Sequence, residues 1–253
     1  MYKEFDCKAN IYKIFCYDSL TSTNDKAMEL AGNNCDDGTV IVADFQSKGR
    51  GQRQNVWESE KGLNLTFSLV LRPEFLKAHN QFLLSKIASL AVCDYLESIG
   101  VMAKIKWPND IYIDDDKVCG MLIESSLMGE NISFSIVGIG INLNQAEFSK
   151  ALANPVSVYK KTGRKTDITQ ALDGFLLCFD EWYKTLKNEN FKIIDESYFN
   201  KLYRLSGLHI YEANGRAFKA RITGISAIGE LILEEENGNT SHYAFKEVSY
   251  LVR

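Results

Sequence analysis

Residues 104–142 leave this chain few ways to fold. Pro108 removes a backbone donor and pushes Trp107 towards an extended conformation, so no helix runs through K-W-P-N-D. Asn109-Asp110 turn the chain there, and Asp114 to Asp116 mark a second turn. The apolar runs around these turns, at 104–107, 111–113, 117–125 and 132–142, read as consecutive strands, with the D-D-D turn closing an antiparallel hairpin. The middle of the chain is therefore a sheet, and the rest has to pack around it.

Before it, residues 11–17 alternate weakly as a first strand. Thr21-Ser22-Thr23-Asn24 offers a cap for a short helix at 25–31, and the β-branched run 39–45 reads as a buried strand. A polar, glycine-bearing loop occupies 46–55. In 63–71, Leu63, Leu65, Phe67, Leu69 and Leu71 alternate, which predicts a half-buried strand ended by Arg72-Pro73. Residues 81–99 carry Leu83, Ile87, Leu90, Ala91 and Tyr95 at helical spacing, with Gly100 closing the helix. Two more helices are expected at 168–188 and 193–203. After Gly207 the runs shorten and turn signals recur at Asn214-Gly215, Gly229 and Asn237-Gly238, which predicts a small β-barrel. The expected division is 1–207 and 208–253, and 253 residues suffice for one sizeable core plus a small second unit.

Several function classes fall away. With 33 acidic and 29 basic residues there is no clustered basic face for nucleic acid. The N-terminus lacks the apolar core and cleavage site of a signal peptide, and the most apolar stretches, 82–92 and 134–143, are too short to span a bilayer. The cysteines form no C-x-x-C pair, which suits reduced thiols in a cytoplasmic protein. His79, His209 and His242 show no ligand spacing, so no protein metal site is expected, and no nucleophile motif is present.

What remains is a set of short runs that could hold an anion beside an apolar group. Gly49-Arg50-Gly51 combines close backbone approach with a guanidinium that can pair with phosphate, although a plain surface turn has the same residues. Lys106 to Asp110 places an amide and a carboxylate at a strand end beside an indole; an ordinary turn around a core tryptophan would read alike. Lys117 heads an apolar strand, where it either pairs with Asp115 or Asp116 at the surface or points inward beside the space left by Gly120. Gly138 and Gly140 suit either tight packing or a flat ligand against the backbone, with Asn142 reaching a polar group. Cations, glycines and an apolar strand side by side suggest an enzyme that activates a small carboxylic acid.

Taken in order, Ser22-Thr23-Asn24, Gln46 with Gly49-Arg50-Gly51, Lys106 to Asp110, Lys117 with Gly120, and Gly138 to Asn142 resemble the biotin protein ligases. The resemblance covers most of 11–144, and the tail from Leu208 is similar to that family's SH3-like barrel. It implies an α+β fold related to class II aminoacyl-tRNA synthetases, a mixed sheet with helices. It also implies two half-reactions: biotin and ATP, with Mg2+, give biotinyl-5′-AMP, and the biotinyl group then passes to a lysine of a biotin carboxyl carrier protein. Carried over residue by residue, Ser22, Thr23 and Gln46 would bond the ureido head of biotin, with Gly120, Leu122 and Gly138 lining its pocket. Arg50 and Lys117 would meet the carboxylate and α-phosphate; Trp107, Asn109 and Asn142 would serve the nucleotide; Asp110 would orient or deprotonate the acceptor lysine. Asn24, Gly49, Gly51, Gln52, Arg53, Trp57, Lys106 and Gly140 complete the expected binding set.

The departures are Gln52, where the family usually has arginine, with Arg53 following, and Gln54 in place of a common glycine. No room before Ser22 for a winged helix means that a repressor function is not expected. The nearest rival readings are a lipoate ligase or octanoyltransferase of the same fold and a non-catalytic biotin-binding module. A monomer or homodimer is compatible with all of them.

Overall fold

A computed structural model describes residues 12–52 and 55–251, and the backbone of 2–5. The first part of the chain runs β1 (Tyr2–Phe5), β2 (Lys13–Tyr17), α1 (Thr23–Gly32), β3 (Thr39–Ala43), β4 (Leu65–Leu71), α2 (Phe82–Ser98), β5 (Lys104–Lys106), β6 (Asp110–Ile113), β7 (Asp116–Met128) and β8 (Asn131–Ile141). Three helices follow, α3 (Val158–Thr162), α4 (Ile168–Lys187) and α5 (Phe191–Asn200). The last part is β9 (His209–Ala213), β10 (Arg216–Ile225), β11 (Leu231–Glu235), β12 (Thr240–Tyr243) and β13 (Ser249–Tyr250).

The first eight strands form one mixed sheet in the order β1-β2-β3-β4-β8-β7-β6-β5. Only β2 and β3 pair in parallel; their connection passes through α1. Helices cover both faces of the sheet, and this changes the reading of its central strand. The alternation in L-T-F-S-L-V-L suggests one wet face, yet all seven residues of β4 are buried. Leu65, Phe67, Leu69 and Leu71 join the large core that includes α2 and α4 residues such as Leu84, Ile87, Phe175 and Phe179. Val70 sits on the opposite face, in a small core with Ala27 and Ala31 of α1, Ile41 and Ile136. Thr66 and Ser68 share that face by the two-residue period and are buried as well. Two hydroxyls thus lie under a helix instead of in water, where they need partners.

Several ends differ from expectation for identifiable reasons. Helix α1 begins two residues early because Ser22 caps it, accepting from the Asp25 N–H at 3.4 Å. Helix α5 stops at Asn200, not 203, because the chain then lies along the edge strand β5. There the Ile105 N–H donates to the Lys201 carbonyl and the Tyr203 N–H to the Ile105 carbonyl, both at 2.8 Å. The expected strand at 11–17 is described only from Lys13, and Arg53 and Gln54 lie outside the described residues. Strands β1 and β13 and helix α3 carry too few residues for a periodic signal.

The tail forms a five-stranded antiparallel sheet, β12-β11-β10-β9-β13. Asn214 and Gly215 take φ of 53° and 73°, the left-handed pair that a tight two-residue hairpin between β9 and β10 requires. Phe218, Ala220 and Ile222 alternate inward on β10 and meet Tyr211, Leu231 and Leu233. This sheet does not have its own separate core: its buried residues are continuous with those of the first sheet. At the junction the Trp107 indole N–H donates to the Gly229 carbonyl at 2.9 Å, and Arg204 donates to the Leu251 carbonyl at 2.8 Å.

Candidate functional site

Strand register builds the floor of the site on the α1 face of the large sheet. Thr66, Gly140 and Gly120 stand side by side across β4, β8 and β7, and Ser68, Gly138 and Leu122 form the next row. Glycine in the middle of each row leaves a trough where neighbouring side chains would otherwise meet. Over the first row lies the Trp57 indole: a Cβ on Gly140 would stand 2.3 Å from its ring and one on Gly120 3.1 Å. Over the second lies Asn24, whose Oδ1 would be 1.9 Å from a Cβ on Gly138. The trough opens into a cleft of about 960 Å³ between the sheet, the loop after β3, the K-W-P-N-D turn and the edge of the C-terminal sheet.

At its inner end the polar groups form a connected chain. Gln46 Oε1 accepts from the Thr23 backbone N–H at 2.6 Å and lies 3.1 Å from the Thr23 hydroxyl. The Ser68 hydroxyl lies 2.8 Å from that hydroxyl and 2.6 Å from Asn24 Oδ1. Asn24 in turn donates to the Leu122 carbonyl at 3.2 Å and to Glu124 Oε2 at 2.8 Å. Thr23, Asn24 and Ser68 are all buried, so this network fixes their orientation before any ligand arrives.

Charge lies on both sides of the glycines, with Arg50 beside the polar network and Lys117 beside Gly120. Arg50 donates to Asp25 at 2.6 Å and to Glu124 at 2.5 Å. Burial works against its charge, but the bonds to Glu124 and Asp25 outweigh it and hold the guanidinium pKa above its ordinary value. Lys117 pairs with Asp110 at 2.6 Å, across the β6–β7 hairpin. The surface partners expected for Lys117 are engaged elsewhere: Asp116 pairs with Lys161, as does Asp114, and Asp115 accepts from the Tyr203 hydroxyl. Lys106 sits between the Tyr112 and Tyr250 rings, 4.8 and 5.3 Å from their centroids, and burial lowers its pKa.

The remaining expected residues divide between the cleft and its frame. Ser22, Asn109 and Asn142 line the cleft, but each amide is partly committed: Asn109 donates to the Met121 carbonyl at 3.4 Å and Asn142 to the Val156 carbonyl at 3.1 Å. The Asn142 Oδ1 and the Trp57 Nε1 are buried with no hydrogen-bond partner among the described residues. Trp107 is 5 % exposed and joins both readings of its turn: its ring borders the cleft while its N–H holds Gly229 in the core. Gly51, expected to offer an N–H to an anion, donates it to the Asn55 carbonyl at 2.7 Å. Gly49 serves close approach, since a Cβ there would meet the Trp57 carbonyl at 2.2 Å. Gln52 donates to Asn109 Oδ1 at 3.2 Å.

Sequence reasoning missed Ser68, Asp25 and Glu124. Ser68 occupies the polar half of an alternating strand, and Glu124 follows Gly120 and Leu122 at the same two-residue spacing on β7, which was a usable signal.

A family model described as the biotin/lipoate A/B protein ligase family matches residues 16–142. The bifunctional ligase/repressor BirA of Bacillus subtilis (strain 168) is 36% identical over 236 residues, which covers 90% of this chain and 71% of that protein. The biotin–[acetyl-CoA-carboxylase] ligase of Paracoccus denitrificans is 36% identical over 225 residues, 86% of this chain and 92% of its own length. Among solved structures, the biotin protein ligase from Aquifex aeolicus in complex with biotin and ATP matches 93% of this chain and 97% of its own, with a TM-score of 0.79 at 29% identity. The similarity runs through the trough, the Arg50 loop and the C-terminal sheet alike: the chain belongs to the biotin/lipoate A/B protein ligase family, among its biotin–protein ligases.

Proposed function

We propose that this chain joins biotin to AMP at the expense of ATP and then passes the biotinyl group to a lysine of a carrier domain in a biotin-dependent carboxylase. The observation that carries this reading is the trough itself. Biotin is an uncharged polar ring system, an apolar tail and a carboxylate in one line. The cleft has a buried amide–hydroxyl network with Arg50 beside it through Glu124, glycines beneath an indole in the middle, and Lys117 beside Gly120.

Thr23, Gln46 and Asn24 bond the ureido head, and Trp57 closes over the tail. Arg50 and Lys117 are assigned to the biotin carboxylate and the α-phosphate, Arg50 after leaving Glu124 and Asp25. Bringing two anions together is the main barrier, so cations already in place contribute most. Both cations are held by carboxylates in the ligand-free chain, so substrate anions have to compete with Asp25, Glu124 and Asp110. Asp110, half-exposed beside Lys117, then receives or orients the acceptor amine, whose ordinary pKa of about 10.4 keeps it protonated at neutral pH.

Among the described residues no group of three or more His, Cys, Asp or Glu side chains is placed to hold a metal ion. Magnesium is proposed to arrive on the nucleotide phosphates, where it lowers their charge. The C-terminal sheet and the segment beside it border the cleft through Phe245, Lys246 and Tyr250, which supports a role next to the nucleotide. The test is incubation with ATP, magnesium and either biotin or lipoate, followed by mass analysis for the acyl-adenylate. Biotinyl-AMP is expected; lipoyl-AMP alone, or no adenylate, would overturn the reading.

Gln52 gives a graded prediction. Its amide is tied to Asn109 and carries no charge, so it holds a phosphate less well than a guanidinium by roughly 1 kcal/mol or more. Gln52→Arg is expected to slow dissociation of biotinyl-AMP several-fold, measured by chase of the labelled intermediate. An unchanged rate would show that this loop position does not hold the adenylate.

A further inference from the structure

We propose that Glu124 is a positioning residue that ties the inner end of the cleft to the loop carrying Arg50. The proposal rests on the biotin reading above and extends it. Glu124 uses both carboxylate oxygens: Oε2 accepts from Asn24 Nδ2 at 2.8 Å, and Oε1 accepts from Arg50 Nη2 at 2.5 Å. These two partners differ sharply in freedom. Asn24 is 4% exposed, lies against Gly138, bonds the Ser68 hydroxyl and the Leu122 carbonyl, and has no second place to go. Arg50 is 41% exposed on a glycine-flanked loop.

One end of Glu124 is therefore anchored in the head-group network and the other end holds an exposed cation. A ligand that draws on the Asn24 amide changes the bond that Oε2 accepts, and the shared carboxylate passes that change to Oε1. The position of Arg50 then depends on whether the inner end is filled. Asp25 provides the comparison, because among the described residues it bonds Arg50 through Nη1 and not Asn24.

The experiment measures biotin binding by calorimetry without ATP, and biotin-dependent ATP–pyrophosphate exchange, on the full chain. Glu124→Gln has a single oxygen to share, so the biotin Kd is expected to rise about tenfold and the exchange kcat to fall by a similar factor. Asp25→Asn is expected to lower the exchange kcat while the biotin Kd stays within about twofold. A merely structural Glu124 would instead lower the melting temperature and leave this split absent. If wild type binds no biotin, the functional reading fails. If wild type binds and Glu124→Gln keeps the wild-type Kd, or if both variants show the same pattern, the coupling is overturned. Should Glu124→Gln not fold, Asn24→Ser and Arg50→Lys supply the answer. Coupling predicts a combined loss of exchange well short of the product of the single losses, and independence predicts the product.

Discussion

Lys117→Ala is expected to reduce adenylate formation on the order of a hundredfold or more and to leave the melting temperature almost unchanged. The two halves of that expectation have separate causes. Among the described residues Lys117 Nζ forms its ion pair with Asp110, and both side chains are 31 % exposed. An ion pair of that exposure contributes less than about 1 kcal/mol to folding. Towards a reacting pair of anions the same ammonium acts as a charged donor, where each such bond is worth about 1.5–3 kcal/mol and strengthens as charge develops. The backbone of Lys117 is held independently, donating to the Asn154 carbonyl at 2.8 Å and accepting from the Val156 N–H at 2.9 Å, so truncation leaves the hairpin in place. Exchange assays and a thermal melt on one preparation check both halves. A variant that forms biotinyl-AMP at the wild-type rate would remove Lys117 from the chemistry.

A single methyl group at Gly138 should be nearly as damaging, by a different route. The added Cβ of Gly138→Ala would stand 1.9 Å from Asn24 Oδ1 and 2.8 Å from its Cγ. Strand β8 cannot retreat, because it is laddered to β4 on one side and β7 on the other. Asn24 has to leave instead, giving up its bonds to Ser68, Leu122 and Glu124 together. Biotin affinity is expected to fall about a hundredfold, with a stability loss of about 1–3 kcal/mol from overpacking. Titration calorimetry reads the first and chemical denaturation the second. A Kd within twofold of wild type would mean that Asn24 does not organise the head-group end.

Much of this site could be read from residue order, because its chemistry resides in short runs: the cations at 50 and 117, the turn at 106–110 and the glycines at 120, 138 and 140 all line one cleft. The sheet was legible for the same reason, since its hairpins are local. What the residues alone did not reveal depends on what covers each face. Ser68 looked like the wet side of an alternating strand and is buried, because α1 lies on that face. Trp107 could be read as a ligand wall or as a core residue, and its N–H bonds a carbonyl 122 positions along the chain, which no local pattern announces. Arg50 was read as an available cation and is paired with two carboxylates, one 25 and one 74 positions away.

The bond from Trp107 to Gly229 also bears on how the molecule comes apart. The Phe82 ring lies so near Gly229 that a Cβ there would approach it to 2.6 Å, and Trp107 packs edge-on to Phe245 at 6.2 Å. Tyr203, Tyr211 and Tyr250 continue the contact with rings 5.1–6.2 Å apart. Melting the small sheet first would expose one side of the large core as well as its own, so neither part has a stable state without the other. Differential scanning calorimetry is therefore expected to show one peak, with calorimetric and van't Hoff enthalpies in agreement; two resolved peaks would contradict it. One peak would make the boundary near Gly207 a change of texture along the chain and not a division in free energy, and a fragment ending there is expected to expose the Trp107 indole to water.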